Sequence, residues 1–409
     1  MKILQIGTGS LRIPPDRYGA VELYIYNLSK GLAASGHAVT VLDIKEPPDG
    51  PEYEDLDGIK RLRIYRKKFN FHSHISWLNY LGESLDLLGF TFQASAHMRK
   101  KDYDIIHLHR LLTSPLLVFL NRGLRPKMAY TSHSSIWTED NPVWLHRLAL
   151  SLDGYTMRRV TSVAAQAGAL KTKFMSKTKI PPVKIAVIPS GVDTAYYRPD
   201  GAPADEIKHR YGLEGRTTVL YVGHIIPRKG VETLVKTAVL LAKETGHSEV
   251  FFLLVGPLAQ PGFDKLGKAD YVTGIRELIK QEGLEQHVRL TGAVSQEDLL
   301  GLFRACDIFV LPSLADSSPA VTLQALACAK PVVATRVGGL PDQIRDGWNG
   351  LLIQPGDERA LAQKIKYLLD NPAERLRMGQ NARCLAETEF GWKFILNKIV
   401  DLYRDIAAT

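Results

Sequence analysis

The sequence predicts an α/β protein of two doubly wound parallel-sheet domains facing each other across a cleft, and three observations predict it. The 409 residues exceed what one core usually holds, so two domains of similar size are expected. Short β-branched or aliphatic runs alternate with longer stretches of helical period, as in βα units around a parallel sheet. Near residues 188 to 214 the period lapses in IPSGVDTAYYRPDGAP, a segment dense in Pro, Gly and Asp.

Taken in order, the strand-like runs of the first half are KILQIG, AVTVLDI, RLRIY, DIIHLH, MAYTS, VTSVAA and IAVIP. Those of the second half are TTVLYVG, VFFLLVG, VRLTG, DIFVLPS, PVVATR and GLLIQ. The division falls at residues 1–188 and 189–389. The closing stretch FGWKFILNKIVDLYRDI, within 390–409, carries apolar residues at helical spacing and is expected to be an amphipathic helix.

Composition bounds the class. With 45% hydrophobic and 23% charged residues, the chain has the make-up of an ordinary globular protein. It holds no long uncharged apolar run, and KILQIG begins at the second residue with no signal-peptide pattern before it, so a cytoplasmic protein is expected. Cys306, Cys328 and Cys384 form no CxxC pair, which argues against a disulfide framework or a zinc site and for small buried hydrophobes. The net charge of +9 lies wholly in residues 1–200, which hold 27 Lys+Arg against 18 Asp+Glu. The clusters RLRIYRKK, RKK at 99–101 and the lysines between 171 and 184 read either as a solvated face or as a surface for an anionic membrane or lipid phosphate.

In an open parallel sheet ligands bind beyond the carboxyl ends of the strands, so chemistry is sought in the loops that follow them. TTVLYVG ends on Gly223, and after it come His224, Arg228, Lys229 and Gly230, then a helix. Glycine permits close backbone approach, and cations ahead of a helix N-terminus suit a diphosphate; an exposed basic turn is the plain alternative. After DIFVLPS comes LADSSPAVTLQALACAKPVVAT. Pro319 stands where a first helical position would be, with Ser317 and Ser318 as candidate caps, so the helix through Ala320 offers backbone N–H groups to an anion. Gln324, eight residues after Asp316 and two turns into that helix, is within reach of a ribose.

The string PSLADSSPAVTLQALACAKPVVAT resembles the donor-binding signature of the GT4 glycosyltransferases, where two glutamates separated by seven residues precede a small-residue helix and a PVV strand. Asp316 and Gln324 stand where those glutamates would be. GHIIPRKG resembles the family's phosphate loop, IPSGVDTAYYRP its interdomain segment, TGAVSQEDLLGLFRACDIFVLPS the run into the signature, and YGAVELYIYNLSKGLAASGHAVTV its first helix and second strand. Ordered motifs at the right separations over nearly the whole chain are more specific than any one of them.

The resemblance implies a GT-B fold of two Rossmann-like domains, the first binding the acceptor and the second the nucleotide sugar, with the terminal helix packed back on the first. It implies a retaining hexosyl transfer from a nucleotide diphosphate sugar to a hydroxyl of a glycan, lipid-linked or small-molecule acceptor, with no metal and no nucleic acid. Lys229, His133 and Asp316 would be catalytic. Gly19, Gly223, His224, Arg228, Ser317, Ser318, Pro319, Ala320 and Gln324 would bind the donor. There are departures: Asp316 is one methylene shorter than the family's glutamate, Gln324 lacks the second carboxylate, and His224 replaces an arginine. Ala20 follows Gly19 where the family has a glycine pair. A non-catalytic sugar-nucleotide-binding or scaffolding homologue is the alternative reading, and a sugar-nucleotide epimerase a more distant one.

Three further patterns carry less. His107 and His109 share a strand face without a third ligand nearby, which favours packing over a metal. The Asp102-Tyr103-Asp104 string precedes its strand, on the wrong side of the sheet for a ligand. IGTGSLRIP has Arg12 where a dinucleotide fingerprint needs its third glycine.

Overall fold

The run KILQI forms β1 (Lys2–Ile6) in the middle of a sheet, and its side chains go alternately to two cores. Leu4 and Ile6 join the core on one face and Ile3 the core on the other, while Gln5 shares the face of Ile3. The computed structural model describes residues 1–15, 19–45, 51–65, 76–138, 144–200, 204–244, 249–258 and 271–408. The chain divides into two compact units, Met1–Ser190 with Trp392–Thr409, and Gly191–Gly391. These divisions fall two residues beyond those placed from composition at 188 and 390.

In the first unit β1 is followed by α1 (Ala20–Ala34), β2 (Ala38–Lys45), β3 (Tyr53–Leu56), β4 (Ile59–Tyr65), α2 (Ser76–Lys100), β5 (Ile105–Leu108) and α3 (Ser114–Leu120). Then come β6 (Met128–Thr131), α4 (Trp144–Arg159), β7 (Ser162–Ala165), α5 (Gly168–Thr178) and β8 (Ile185–Val187). The sheet order is β3-β4-β2-β1-β5-β6-β7-β8. All neighbours run parallel except β3 and β4.

β3 is an addition to the sequence reading. Its string YEDL is short and polar, and it is held by a tight turn at Asp57 and Gly58, both at positive φ (52° and 74°). Its Glu54 carboxylate meets Arg61 at 2.7 Å and Arg63 at 2.5 Å, and these arginines are only 5% and 8% exposed. That corrects the reading of RLRIYRKK as surface charge: Arg61 and Arg63 form an internal ion-pair cluster, and residues 66–68 lie outside the described residues.

In the second unit α6 (Ala204–Tyr211) leads into β9 (Thr217–Val222), α7 (Val231–Glu244), β10 (Val250–Val255), α8 (Tyr271–Gln281), β11 (Val288–Gly292) and α9 (Gln296–Ala305). Then follow β12 (Ile308–Leu311), α10 (Ala320–Ala327), β13 (Val332–Thr335), α11 (Leu340–Gln343), β14 (Gly350–Ile353), α12 (Glu358–Asp370) and α13 (Pro372–Leu385). The sheet is parallel in the order β11-β10-β9-β12-β13-β14. From β9 the chain winds outward to one side, then returns to lay β12 on the other, so the winding reverses between β9 and β12. Such a switch point is where this architecture holds ligands.

The terminal segment is not one continuous helix. A π turn at Ala386–Phe390 ends at Gly391, and α14 (Trp392–Ala407) starts afresh. Ile395, Ile399, Leu402, Tyr403 and Ile406 of α14 share a core with Ile3, Ile25 and Leu28 of the first unit. Cys306 and Cys328 are buried, as expected, but Cys384 is exposed, so the reading of all three as buried is corrected. Among the described residues no helix is long and apolar enough to cross a membrane.

Candidate active site

In the second unit both loops flagged by the sequence leave the switch point. The one after β9 makes a single turn at Pro227–Lys229 and ends on Gly230, whose φ of 68° starts α7. A Cβ on Gly230 would stand 1.9 Å from the Pro312 carbonyl oxygen, so glycine lets this turn press against the loop after β12. The two loops are laced by backbone: the Arg228 carbonyl accepts from Leu314 N–H at 2.8 Å and Ala315 N–H at 3.3 Å.

That lacing brings Lys229 to Asp316. Nζ donates to Oδ2 at 2.5 Å, and the two side chains are 13% and 8% exposed. Ser313 Oγ donates to the same carboxylate oxygen at 3.2 Å. Ser313 is held in turn by Thr335, whose hydroxyl donates to the Ser313 carbonyl at 2.5 Å. Tyr221, next to last in β9, donates to the His224 carbonyl at 2.8 Å. Its phenol is pushed well above the ordinary value, by burial first and then by the Asp316 charge.

α10 begins one residue later than its sequence suggests. Pro319 is the cap, with φ −70° and ψ 121°, and Ala320 is the first helical residue. Neither serine caps it, because Ser318 Oγ accepts from Gln343 Nε2 at 3.1 Å and no side chain takes the cap position. The first-turn N–H groups therefore lack a side-chain cap, as an anion site requires. Two buried side-chain oxygens of α10 are without a partner, Thr322 Oγ1 and Gln324 Oε1. The structure thus brings Gly223, His224, Arg228, Lys229, Asp316, Ser317, Ser318, Pro319, Ala320 and Gln324 onto two neighbouring loops and one short helix.

In the first unit Gly19 caps α1 after the loop that leaves β1. A Cβ there would meet Glu22 at 2.8 Å, so the tight approach at Gly19 is to the protein's own side chains. His133 follows β6 and is partly buried. It ends a chain of hydrogen bonds that the sequence did not reveal. Gln5 Nε2 donates to the Tyr403 hydroxyl at 2.9 Å, which leaves Gln5 Oε1 to accept from His109 Nε2 at 2.7 Å. His109 then carries its proton on Nε2, so its Nδ1 accepts from His133 Nε2 at 3.3 Å. Tyr403 donates onward to His107 Nδ1 at 2.7 Å, and His107 Nε2 donates to Thr131 at 2.8 Å.

Burial lowers all three imidazoles: His107 to about 3, His133 to about 4, and His109 well below its ordinary value. His133 is therefore a neutral hydrogen-bonding group near pH 7. Its Nε2 faces His109, and a side-chain hydrogen bond with Gln166 also holds the ring. The signal in the sequence was Gln5, the lone polar residue inside an apolar strand. Asp102 and Asp104 serve the sheet's other end, pairing with Lys127 at 2.8 Å and accepting from the Lys2 amide at 2.6 Å.

Residues 21–196 match the family model described as Glycosyltransferase Family 4, and residues 204–384 match Glycosyl transferases group 1. The D-inositol 3-phosphate glycosyltransferase of Streptomyces scabiei (strain 87.22) is 30% identical over 321 residues, covering 73% of this chain and 67% of that protein. The chain belongs to glycosyltransferase family 4. Two solved structures show that this family 4 glycosyltransferase has the GT-B fold. Sucrose-phosphate synthase (tll1590) from Thermosynechococcus elongatus superposes with a TM-score of 0.80 at 23% identity, over 100% of this chain and 99% of that one. Anabaena Alr3699/HepE in complex with UDP-glucose gives 0.74 at 22% identity, over 99% and 100%.

Proposed function

We propose that this glycosyltransferase moves a hexose-type sugar from a nucleoside diphosphate to an acceptor hydroxyl with retention of configuration. The carrying observation is the Lys229–Asp316 pair at the switch point, beside the uncapped start of α10. The bond from the anomeric carbon to the diphosphate oxygen breaks, and the bond to the acceptor oxygen forms on the same face. The acceptor proton passes to the leaving phosphate oxygen. Charge growing on the diphosphate is met by Lys229, Arg228, His224 and the α10 N–H groups, without a metal. Asp316 orients Lys229 and accepts from sugar hydroxyls, while Gln324 offers its unpartnered oxygen to a ribose hydroxyl. His133, neutral near pH 7, hydrogen-bonds near the reacting centre, and the backbone N–H groups at Gly19 approach the leaving group.

The presence of UDP-glucose in Anabaena HepE supports a nucleotide-sugar donor, and the name of the Streptomyces relative supports an acceptor carrying phosphate. The excess of cations in residues 1–200 supports an anionic or lipid-linked acceptor, reached from the inner face of a membrane by a peripheral cytoplasmic protein. A second reading is favoured by the same ion pair. Lys229 is already neutralised, as suits a subunit that binds sugar nucleotides without turning them over.

Hydrolysis of a panel of UDP-, GDP- and ADP-sugars by wild type and Lys229→Ala tests the proposal, with the released anomer read by NMR. Lys229-dependent release of the donor's own anomer is the expected result. Binding without turnover, even across an acceptor screen, selects the second reading.

A further inference from the structure

One face of the first unit is apolar, open and cationic together. Trp144, Leu148, Leu152, Tyr155 and Arg159 recur along α4 at the three- and four-residue spacing of a single helical stripe. Trp144 is 76% exposed, Leu148 51% and Leu152 40%. Next to this stripe, α3 has the sequence SPLLVFL without a charge, and its Phe119 is 49% exposed. An open groove of about 630 Å³ runs between the two helices. A contiguous apolar surface of this kind marks a docking site more often than it marks idle exterior.

Among the described residues the charge lining this groove has one sign. Arg122, Arg125 and Arg159 line the groove. The Arg122 guanidinium lies 5.1 Å over the Phe119 ring, and that of Arg159 lies 3.8 Å over Tyr155. Stacking on a ring occupies the flat of a guanidinium and leaves its N–H edges for an anion. The carboxylate of α4, Asp153, is turned inward, accepting from Ser132 at 2.8 Å and Trp137 at 2.6 Å. Glu139 and Asp140, ahead of α4, lie outside the described residues.

Two properties choose the occupant. A second copy docked face to face would set these arginines against their own images, at a cost in like-charge repulsion. A bilayer instead offers acyl chains to the stripe and, just above them, headgroup phosphates to the arginines. We propose that the α3–α4 face docks on an anionic phospholipid bilayer, with Trp144, Leu148, Leu152 and Phe119 in the acyl boundary and Arg122 and Arg159 on headgroup phosphates. This names the surface for the membrane contact proposed above and rests on that part of the reading. In the cluster at 61–68, Arg61 and Arg63 are nearly buried and paired with Glu54 instead.

The test is co-sedimentation of the full chain with vesicles of phosphatidylcholine alone or mixed with phosphatidylglycerol, at low and high salt, alongside tryptophan emission. Binding to the phosphatidylglycerol vesicles that weakens with salt is expected, with a blue shift that Trp144→Phe removes. Arg122→Ser with Arg159→Ser should lower that binding by about tenfold or more. Leu148→Ser with Leu152→Ser should lower binding to both kinds of vesicle. Donor hydrolysis stays at the wild-type level in these variants, which checks their folding and keeps the result separate from the transfer reaction. Absence of vesicle binding, or binding that the variants leave intact, overturns the proposal. So does a concentration-dependent dimer that the same variants dissolve.

Discussion

Lys229 Nζ lies 2.5 Å from Asp316 Oδ2, joining two loops that are 87 residues apart in sequence. Both side chains are nearly buried, so neither charge is comfortable without the other. Lys229→Met alone is expected to cost about 3 kcal/mol or more of stability, and Lys229→Met with Asp316→Leu much less. Urea unfolding of the single and double variants measures this. Donor hydrolysis should stay depressed by about a hundredfold in both, because repacking restores the fold and not the cation. Equal stability losses in the single and double variants would show that the pair does not act as a unit.

The turn that delivers Lys229 depends on Gly230, at φ 68° and 1.9 Å from a carbonyl oxygen in the sense of a missing Cβ. Gly215 has the same φ of 68° with nothing within 4 Å of its Cβ position, so it isolates the backbone cost. Gly215→Ala should lose about 1 to 2 kcal/mol. Gly230→Ala should lose clearly more, and should weaken donor binding because the loops must part. Thermal unfolding and donor titration of the two variants make the comparison.

Acid should unfold the first unit early. His107, His109 and His133 are held neutral by burial, whereas in the unfolded chain each takes a proton as pH falls below about 6.5. Their contribution is intact above that value and is lost as pH falls toward the folded values near 3 to 4. Asp43, raised to about 7 by burial, works in the opposite sense, as does Asp153, so the native state gains from these two as pH falls. Three histidines outweigh two carboxyls by one proton, leaving a net loss of about 1.4 kcal/mol per pH unit below 6.5. Denaturant midpoints between pH 7 and 5 test the slope, and His109→Gln should flatten it by about 1.4 kcal/mol per unit. A flat profile would mean that these rings are not neutral by burial.

Tyr403 is tied to His133 by hydrogen bonds through Gln5 and His109. Tyr403→Phe removes the acceptor that turns the Gln5 amide, so His133 should change from one tautomer to a mixture. The expected stability loss is about 1 to 2 kcal/mol. Long-range nitrogen–proton NMR of the imidazoles reads the tautomers directly. A single unchanged tautomer in the variant would show that His133 is oriented by other neighbours.

Much of the fold was legible because parallel strands buried on both faces advertise themselves as apolar runs. Every run named from the sequence is a strand, and the reversal between β9 and β12 lies where the two marked loops leave the sheet. β3 escaped notice because its residues alternate between exposed and half-buried and carry acids; only the Asp57-Gly58 pair hinted at a hairpin. The loop residues could be named from glycines, cations and serines at a strand end. Their partners could not. That Asp316 would take Lys229, and that Gln343 would take Ser318 from its expected cap, depends on contacts across 87 and 25 residues of chain. The Gln5–Tyr403 bond spans 398 residues, and no local period encodes it.

That last bond has a consequence for how the protein is made. Gln5 leaves the ribosome before the whole of Gly191–Gly391 and Tyr403 after it. Until α14 arrives, Ile3, Ile25 and Leu28 lack the helix that covers them. The second unit, contiguous in sequence, has all its strands before that moment. The order of completion therefore reverses the order of synthesis: the unit that is started first is sealed only by a helix made after the second unit, so a ribosome that stalls in α14 releases a finished second unit joined to an open first one.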